Sequence, residues 1–280
     1  MPEKGEVITY QFTRRESGWN RLSKRRKRAI LDAYNTVSRT FAPELSDSEH
    51  KANVKRWLGT TLFPSAMRSK RLREELGIPD DSGGGYKKFP ELRSYIIALR
   101  NISRETVEPV HEVTHAFFGE KNLELNSFHK ALASAMHWIY WTRDWKAVKF
   151  PKITKFDIDN KTILALPEAL PEITPKKSPK QIVCAYHLGK RLASYGLRIR
   201  EKYGLPAAYR YLYHLSRGKS TLQAEEAVIR EFAAPKKVER DLAKAKASYV
   251  GKLSIKGLLE NQKEICFDPM LRQRFSTERL

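Results

Sequence analysis

Apolar residues recur at intervals of three and four along most of this chain, and proline or glycine interrupts the pattern repeatedly. The first such stripe lies between Asn20 and Phe41, just before Pro43, and its members are Ile30, Ala33, Tyr34, Val37 and Phe41. This spacing is typical of an α-helix that buries one face. The sequence therefore predicts a mainly α-helical protein.

Four prolines at intervals of four residues, from Pro167 to Pro179, predict an extended connector. We expect residues 1–166 to form an N-terminal helical domain that ends in a β-hairpin, with its turn at Asp159-Asn160. Residues 167–179 would be the connector, and residues 180–280 a basic C-terminal helical bundle. Residues 1–105 read almost wholly as helices, including a helix from Pro90 to Ile102.

Local signals predict several helix ends. Ser46 followed by Glu49 is a capping-box pattern, and Gly204 should end a long helix that opens near Ser178 and Pro179. No uninterrupted apolar segment reaches the roughly 18 residues of a membrane span, and the N-terminus shows no signal-peptide pattern. We therefore expect an intracellular, cytoplasmic protein with no membrane partner.

Positive charge is concentrated in two places, the N-terminal helix region that contains Lys24 to Arg28 and the segment after residue 180. The chain has a formal net charge of +21, and the segment from Lys180 to Lys219 holds nine Lys or Arg residues against one acid, Glu201. Such an excess opposes compaction, so it indicates a polyanionic partner. The candidate phosphate-binding residues are Lys24, Arg25, Arg26, Lys27, Arg28, Lys180, Lys190, Arg191, Arg198, Lys202, Arg210 and Arg217.

Tyrosines lie among these cations. Tyr209, Tyr211 or Tyr213 could stack on unpaired bases, although at least half of the tyrosines in this segment should pack in the helical bundle. Our leading hypothesis is a nucleic-acid-binding protein that acts through phosphate contacts, as a subunit of a nucleoprotein assembly or alone. Charge does not distinguish DNA from RNA, and no cofactor is needed for such binding.

A second hypothesis comes from the sequence His111-Glu112-Val113-Thr114-His115. Histidines four residues apart share one face of a helix and can bind the same zinc ion, while Glu112 would be the general base. The surrounding nine residues, from His111 to Gly119, resemble the zincin metallopeptidases. The resemblance implies zinc as a cofactor, peptidase activity, and a motif helix that lies beneath a sheet.

The sequence does not identify the third zinc ligand. Some zincins place a histidine six residues after the second motif histidine, where this chain has Lys121. The remaining candidates are Glu120, Glu124, His129 and His137. A peptidase acting on DNA-associated proteins would combine both hypotheses.

Overall fold

The computed structural model describes residues 12–76, 84–89, 94–99, 108–121, 127–142, 154–159 and 184–252. Most of these residues are helical, which confirms the mainly α-helical fold class. The predicted connector 167–179 and the second arm of the predicted hairpin lie outside the described residues. The hairpin and the division into two domains therefore stay predictions.

The helices in chain order are α1 (Lys24–Phe41), α2 (Asp47–Gly59), α3 (Pro64–Met67), α4 (Lys70–Leu76), α5 (Glu108–Lys121), α6 (Ser127–Thr142), α7 (Cys184–Tyr203), α8 (Leu205–Ser216), α9 (Thr221–Phe232) and α10 (Val238–Ser248). The strands are β1 (Thr61–Leu62), β2 (Gly84–Phe89), β3 (Ser94–Leu99), β4 (Lys155–Asp157) and β5 (Tyr249–Lys252). No helix in the described part of the chain is long and apolar enough to cross a membrane.

Capping interactions set several of these boundaries. The Ser46 hydroxyl accepts a hydrogen bond from the Glu49 amide and the Glu49 side chain accepts one from the Ser46 amide, which confirms the predicted capping box of α2. Helix α7 ends before Gly204 as predicted, and Gly204 has a φ of 88°, which favours glycine. Helix α1 begins at Lys24 instead of Asn20, because Ser23 is its N-cap.

A three-stranded sheet lies within residues 1–105, which the sequence predicts to be almost wholly helical. Its order is β1-β3-β2, with β3 parallel to β1 and antiparallel to β2. The predicted helix from Pro90 to Ile102 is therefore wrong. Its apolar spacing satisfied a helical period, but the run from Tyr95 to Leu99 also fits a strand that is buried on both faces.

The two faces of β3 pack into different apolar clusters. Tyr95, Ile97 and Leu99 belong to the main core, whereas Ile96 and Ala98 pack with β1 and with Met67 of α3. This alternation is the period of a strand. The sheet thus has helices on both sides, and its main-core face lies toward α5.

One continuous hydrophobic core includes helices from before and after the predicted connector. Its most extensive helix pair is α6 with α7. The two helices approach closely at Gly189, where an added Cβ would lie 2.4 Å from the Ser134 Cβ and 2.7 Å from the Ala131 carbonyl oxygen. Glycine is therefore needed at this crossing for steric reasons.

A buried polar network holds β4 against the C-terminal helices. The Lys155 ammonium contacts both carboxylate oxygens of Glu225, at 2.7 and 2.9 Å, and the Tyr249 hydroxyl donates to the same carboxylate. Strand β4 pairs in parallel with β5. The network links the middle of the chain to α9 and β5.

The helix crossing gives a stability prediction. Gly189→Ala should lower the free energy of unfolding by about 1–3 kcal/mol, because the new methyl group meets a backbone oxygen that cannot turn away. Gly85→Ala is the matched control, since an added Cβ there meets nothing within 4 Å. Urea denaturation measures both; equal stability of the two variants would contradict the steric role of Gly189.

Candidate metal centre

Helix α5 carries the HExxH motif and occupies a central position. It packs against α1, α6, β2 and β3. Val110, Val113 and Ala116 are fully buried and anchor the helix in the main core. The helix therefore lies against a sheet, as the zincin resemblance implies, although residues 1–105 of the sequence read as nearly all helix.

The two motif histidines face each other. Their Nε2 atoms are 3.1 Å apart, and their ring centres are separated by 4.7 Å. Two imidazole nitrogens bound to one tetrahedral zinc ion, each at about 2.0–2.1 Å, stand about 3.3 Å apart. The Nε2 pair of His111 and His115 therefore fits zinc in donor type and in spacing.

His111 is oriented by the neighbouring helix. Its ring donates a hydrogen bond to the Ala133 carbonyl of α6. Because Nε2 is turned toward His115, the nitrogen that remains for this bond is Nδ1. Burial lowers the pKa of His111 to about 4, against the small opposing effect of this hydrogen bond. His111 is therefore neutral at pH 7, the protonation state in which histidine binds metals.

His115 is more deeply buried, at 9% exposure. Burial lowers its pKa well below the ordinary value, and the neighbouring His111, Lys130 and His129 lower the pKa further. Its Nδ1 atom has no hydrogen-bond partner within the described residues. A buried polar atom without a partner costs about 1–3 kcal/mol, so this position is not optimised for stability alone.

Glu112 lies on the side of α5 that faces α1 and is 8% exposed. Its carboxylate is near Tyr34, whose pKa is raised by burial, with a further contribution from Glu112. The Tyr34 hydroxyl bonds with the Thr61 hydroxyl at 2.8 Å. Glu112 is thus a buried carboxylate next to the histidine pair in sequence.

The histidine pair would supply two metal ligands, and a third ligand would have to come from another residue. Among the residues that the structure describes, no three His, Cys, Asp or Glu side chains form a set ready to hold a metal ion. The side chains of Glu120 and Glu124 lie outside the described part. The His129 ring stacks on Phe118 at 4.8 Å, and the His137 ring lies 5.8 Å from that of His111.

Two neighbours of the pair were not identified from the sequence. The Ala133 carbonyl orients His111, and the Tyr86 ring of β2 lies 6.3 Å from His115. An alanine backbone group gives no sequence signal for such a role. Tyr86 could be found only after β2 was recognised as a strand.

The basic cluster in α1 is largely exposed to solvent. Lys24, Arg25, Arg26 and Arg28 are exposed, while Lys27 is partly buried with its ammonium 5.6 Å from the Trp19 ring centre. The first turn of α1 contains no acidic residue. These five positions form one positively charged helix end.

The candidate phosphate-binding residues of α7 and α8 are less exposed than those of α1. Lys180 lies outside the described residues. Arg191 is only 4% exposed and does not face solvent, because its guanidinium donates to the Thr154 carbonyl and packs over Phe156. Lys190 and Arg198 are partly buried, and the Lys190 ammonium lies 5.7 Å from the Trp138 ring centre.

Three further candidate cations form ion pairs within the protein. Lys202 pairs with Asp241 at 2.8 Å, Arg210 with Glu231 at 2.6 Å and Arg217 with Glu44 at 2.8 Å. Each cation keeps at least a third of its side chain exposed, but its charge is already balanced by a nearby carboxylate. The segment after residue 180 is therefore less free to attract an anion than its composition indicated.

The candidate stacking tyrosines are mostly packed. Tyr211 is completely buried, and partly buried Tyr209 packs against the core. Tyr213 lies between two guanidinium groups, those of Arg210 at 4.7 Å and Arg217 at 5.2 Å. Tyr211 is therefore unavailable for base stacking in this fold.

Comparisons with known proteins add no relative: no protein-family model, curated protein or solved structure matches the chain. The site must therefore be interpreted from its own geometry.

The buried histidines predict a pH dependence. An unfolded histidine has a pKa of about 6.5. The folded values are lower, so the unfolded state binds more protons as pH falls. The free energy of unfolding of chelator-dialysed protein should therefore decrease as pH falls from about 6.5 to about 4, and change little from these groups above 6.5.

The variant His111→Gln/His115→Gln isolates this contribution. Burial also lowers the pKa of His50 and His214, but those two groups are present in both proteins. Urea denaturation at a series of pH values should show a smaller loss in the double variant. An identical loss in both proteins would contradict the assignment.

Proposed function

We propose that the protein is a zinc-dependent metallopeptidase of the HExxH type. The observation that carries this proposal is the pair of histidine Nε2 atoms, 3.1 Å apart on one face of α5. His111 and His115 would hold the metal, with a third protein ligand. When bound, zinc supplies Lewis-acid polarisation of a carbonyl group and lowers the pKa of water.

Glu112 would be the general base of the reaction. A carboxylate that is largely shielded from water can accept a proton from the attacking water molecule and deliver it to the leaving amine. In the sequence it directly follows His111, and its carboxylate lies near Tyr34 of α1. This division of roles, neutral histidines for the metal and a carboxylate for the proton, suits hydrolysis of an amide bond.

The sheet supports a peptide as the substrate class. Strand β2 is one of the two edges of the β1-β3-β2 sheet within the described residues, and its Tyr86 ring lies 6.3 Å from that of His115. An edge strand has unpaired backbone groups with which an extended peptide can form hydrogen bonds. A peptide paired with β2 would run beside the motif histidines. A cytoplasmic location is part of this proposal.

The metal requirement can be tested directly. Protein reconstituted with zinc and then dialysed should retain about one zinc ion per chain, because the histidine pair is already neutral and oriented. His111→Ala and His115→Ala should each lose it. Elemental analysis measures the content, and a wild-type protein with no more zinc than these variants would refute the proposal.

Glu112→Gln separates the proton-transfer role from metal binding. This variant should retain zinc but cleave fluorescently labelled casein about 10²–10⁴-fold more slowly, since general acid–base catalysis contributes that much. Circular dichroism checks that the variant is folded. Wild-type cleavage rates in Glu112→Gln would contradict the assigned role.

The exposed basic end of α1 supports a second candidate function, binding of nucleic acid through phosphate contacts. Four exposed cations lie close together at a helix terminus whose dipole is also positive. Such a surface would bring a peptidase to DNA-associated proteins, or serve in a nucleoprotein assembly. The paired and buried cations of α7 and α8 would contribute less.

Salt dependence tests the second candidate. Arg25→Gln/Arg28→Gln should weaken binding to a 20-nucleotide single strand or duplex and reduce the salt slope by about one for each phosphate group that the variant no longer neutralises. Lys244→Gln/Lys246→Gln is the control, because these exposed residues of α10 lie in a segment of balanced charge. Absent binding, or equal weakening in both variants, would exclude α1 as the binding surface.

A further inference from the structure

Four of the 7 histidines of the chain lie on the facing helices α5 and α6. His111 and His115 come from α5, and His129 and His137 come from α6. The two helices pack against each other. Histidine has no preference for helix interiors, so helix propensity does not explain this concentration.

His137 has the spacing of a ligand that shares a metal ion with His111. Three imidazoles on one tetrahedral zinc ion, with bonds of about 2.0–2.1 Å, have ring centres about 5 Å apart. The His111 ring centre is 4.7 Å from that of His115 and 5.8 Å from that of His137. Both distances from His111 are close to the expected separation, whereas no ring contact joins His115 to His137 in the described part of the chain.

Helix α6 presents His137 on the correct face. The Ala133 carbonyl accepts the hydrogen bond from the His111 ring, and His137 lies four residues further along α6. Residues four apart share a face of a helix. The side of α6 that orients His111 is therefore the side that carries His137.

His137 would have to turn to complete the ligand set. As they stand, the three rings do not form a complete ligand set. His137 is partly exposed, and a change of its side-chain rotamer would be needed to bring a ring nitrogen toward the pair. By contrast, the His129 ring is buried, at 5% exposure, and stacks on Phe118 with an interplanar angle of 9°.

We propose that His137 is the third protein ligand of the metal ion held by His111 and His115. This inference rests on the proposed function. Two histidines from α5 and one from α6 would join the helices through the metal, while the partly exposed side at His137 leaves a coordination position open to substrate. An open fourth position is the property of a catalytic zinc site.

The test compares His137→Gln with His129→Gln. Zinc affinity, measured by competition with a chromophoric chelator, should fall by more than about 100-fold in His137→Gln, beyond the usual cost of losing an outer partner of a ligand. His129→Gln should stay within about tenfold of wild type. Cobalt-substituted protein gives a second readout, since each bound histidine contributes one strongly shifted exchangeable N–H signal in the proton NMR spectrum.

The outcomes separate the two proposals. Three shifted signals in wild type and two in His137→Gln support His137 as a ligand. Three signals and wild-type affinity in His137→Gln overturn this inference, while the metallopeptidase proposal stands. A wild-type protein that binds neither zinc nor cobalt overturns the metallopeptidase proposal itself.

Discussion

The close approach of α6 and α7 is the constraint on which the rest of the structure depends. Because Gly189 has no side chain, α7 packs directly on α6, against the Ala131 carbonyl oxygen and the Ser134 Cβ. This contact fixes one side of α6, and α5 packs on α6 as well. The Ala133 carbonyl, which orients His111, therefore belongs to a helix that packs against both α5 and α7.

The candidate site follows from this arrangement. Burial between α6, the sheet and α1 keeps both motif histidines neutral, and it shields Glu112 from water. These effects cost stability, as the unpartnered Nδ1 of His115 indicates. A fold optimised only for packing would place apolar residues at these positions.

The positions of the basic residues in the structure weaken the nucleic-acid-binding proposal relative to the metallopeptidase proposal. Composition alone favoured a nucleic-acid-binding surface after residue 180, but Arg191 is buried and Lys202, Arg210 and Arg217 pair with carboxylates from distant parts of the chain. These partners, such as Glu44, cannot be recognised from local spacing. The basic end of α1 keeps its exposed charge, so phosphate binding has a narrower basis than composition indicated.

The sequence by itself determined most of the helices, because apolar periodicity, the Ser46 capping box and Gly204 are local signals. It also placed His111 and His115 on one helix face, since that depends only on a spacing of four. Only the tertiary structure decided that residues Ser94–Leu99 form a strand, because the same apolar run suits a helix until neighbours bury both of its faces. Likewise, the approach of His137 to His111 depends on the packing of α5 against α6, a contact that no local pattern encodes.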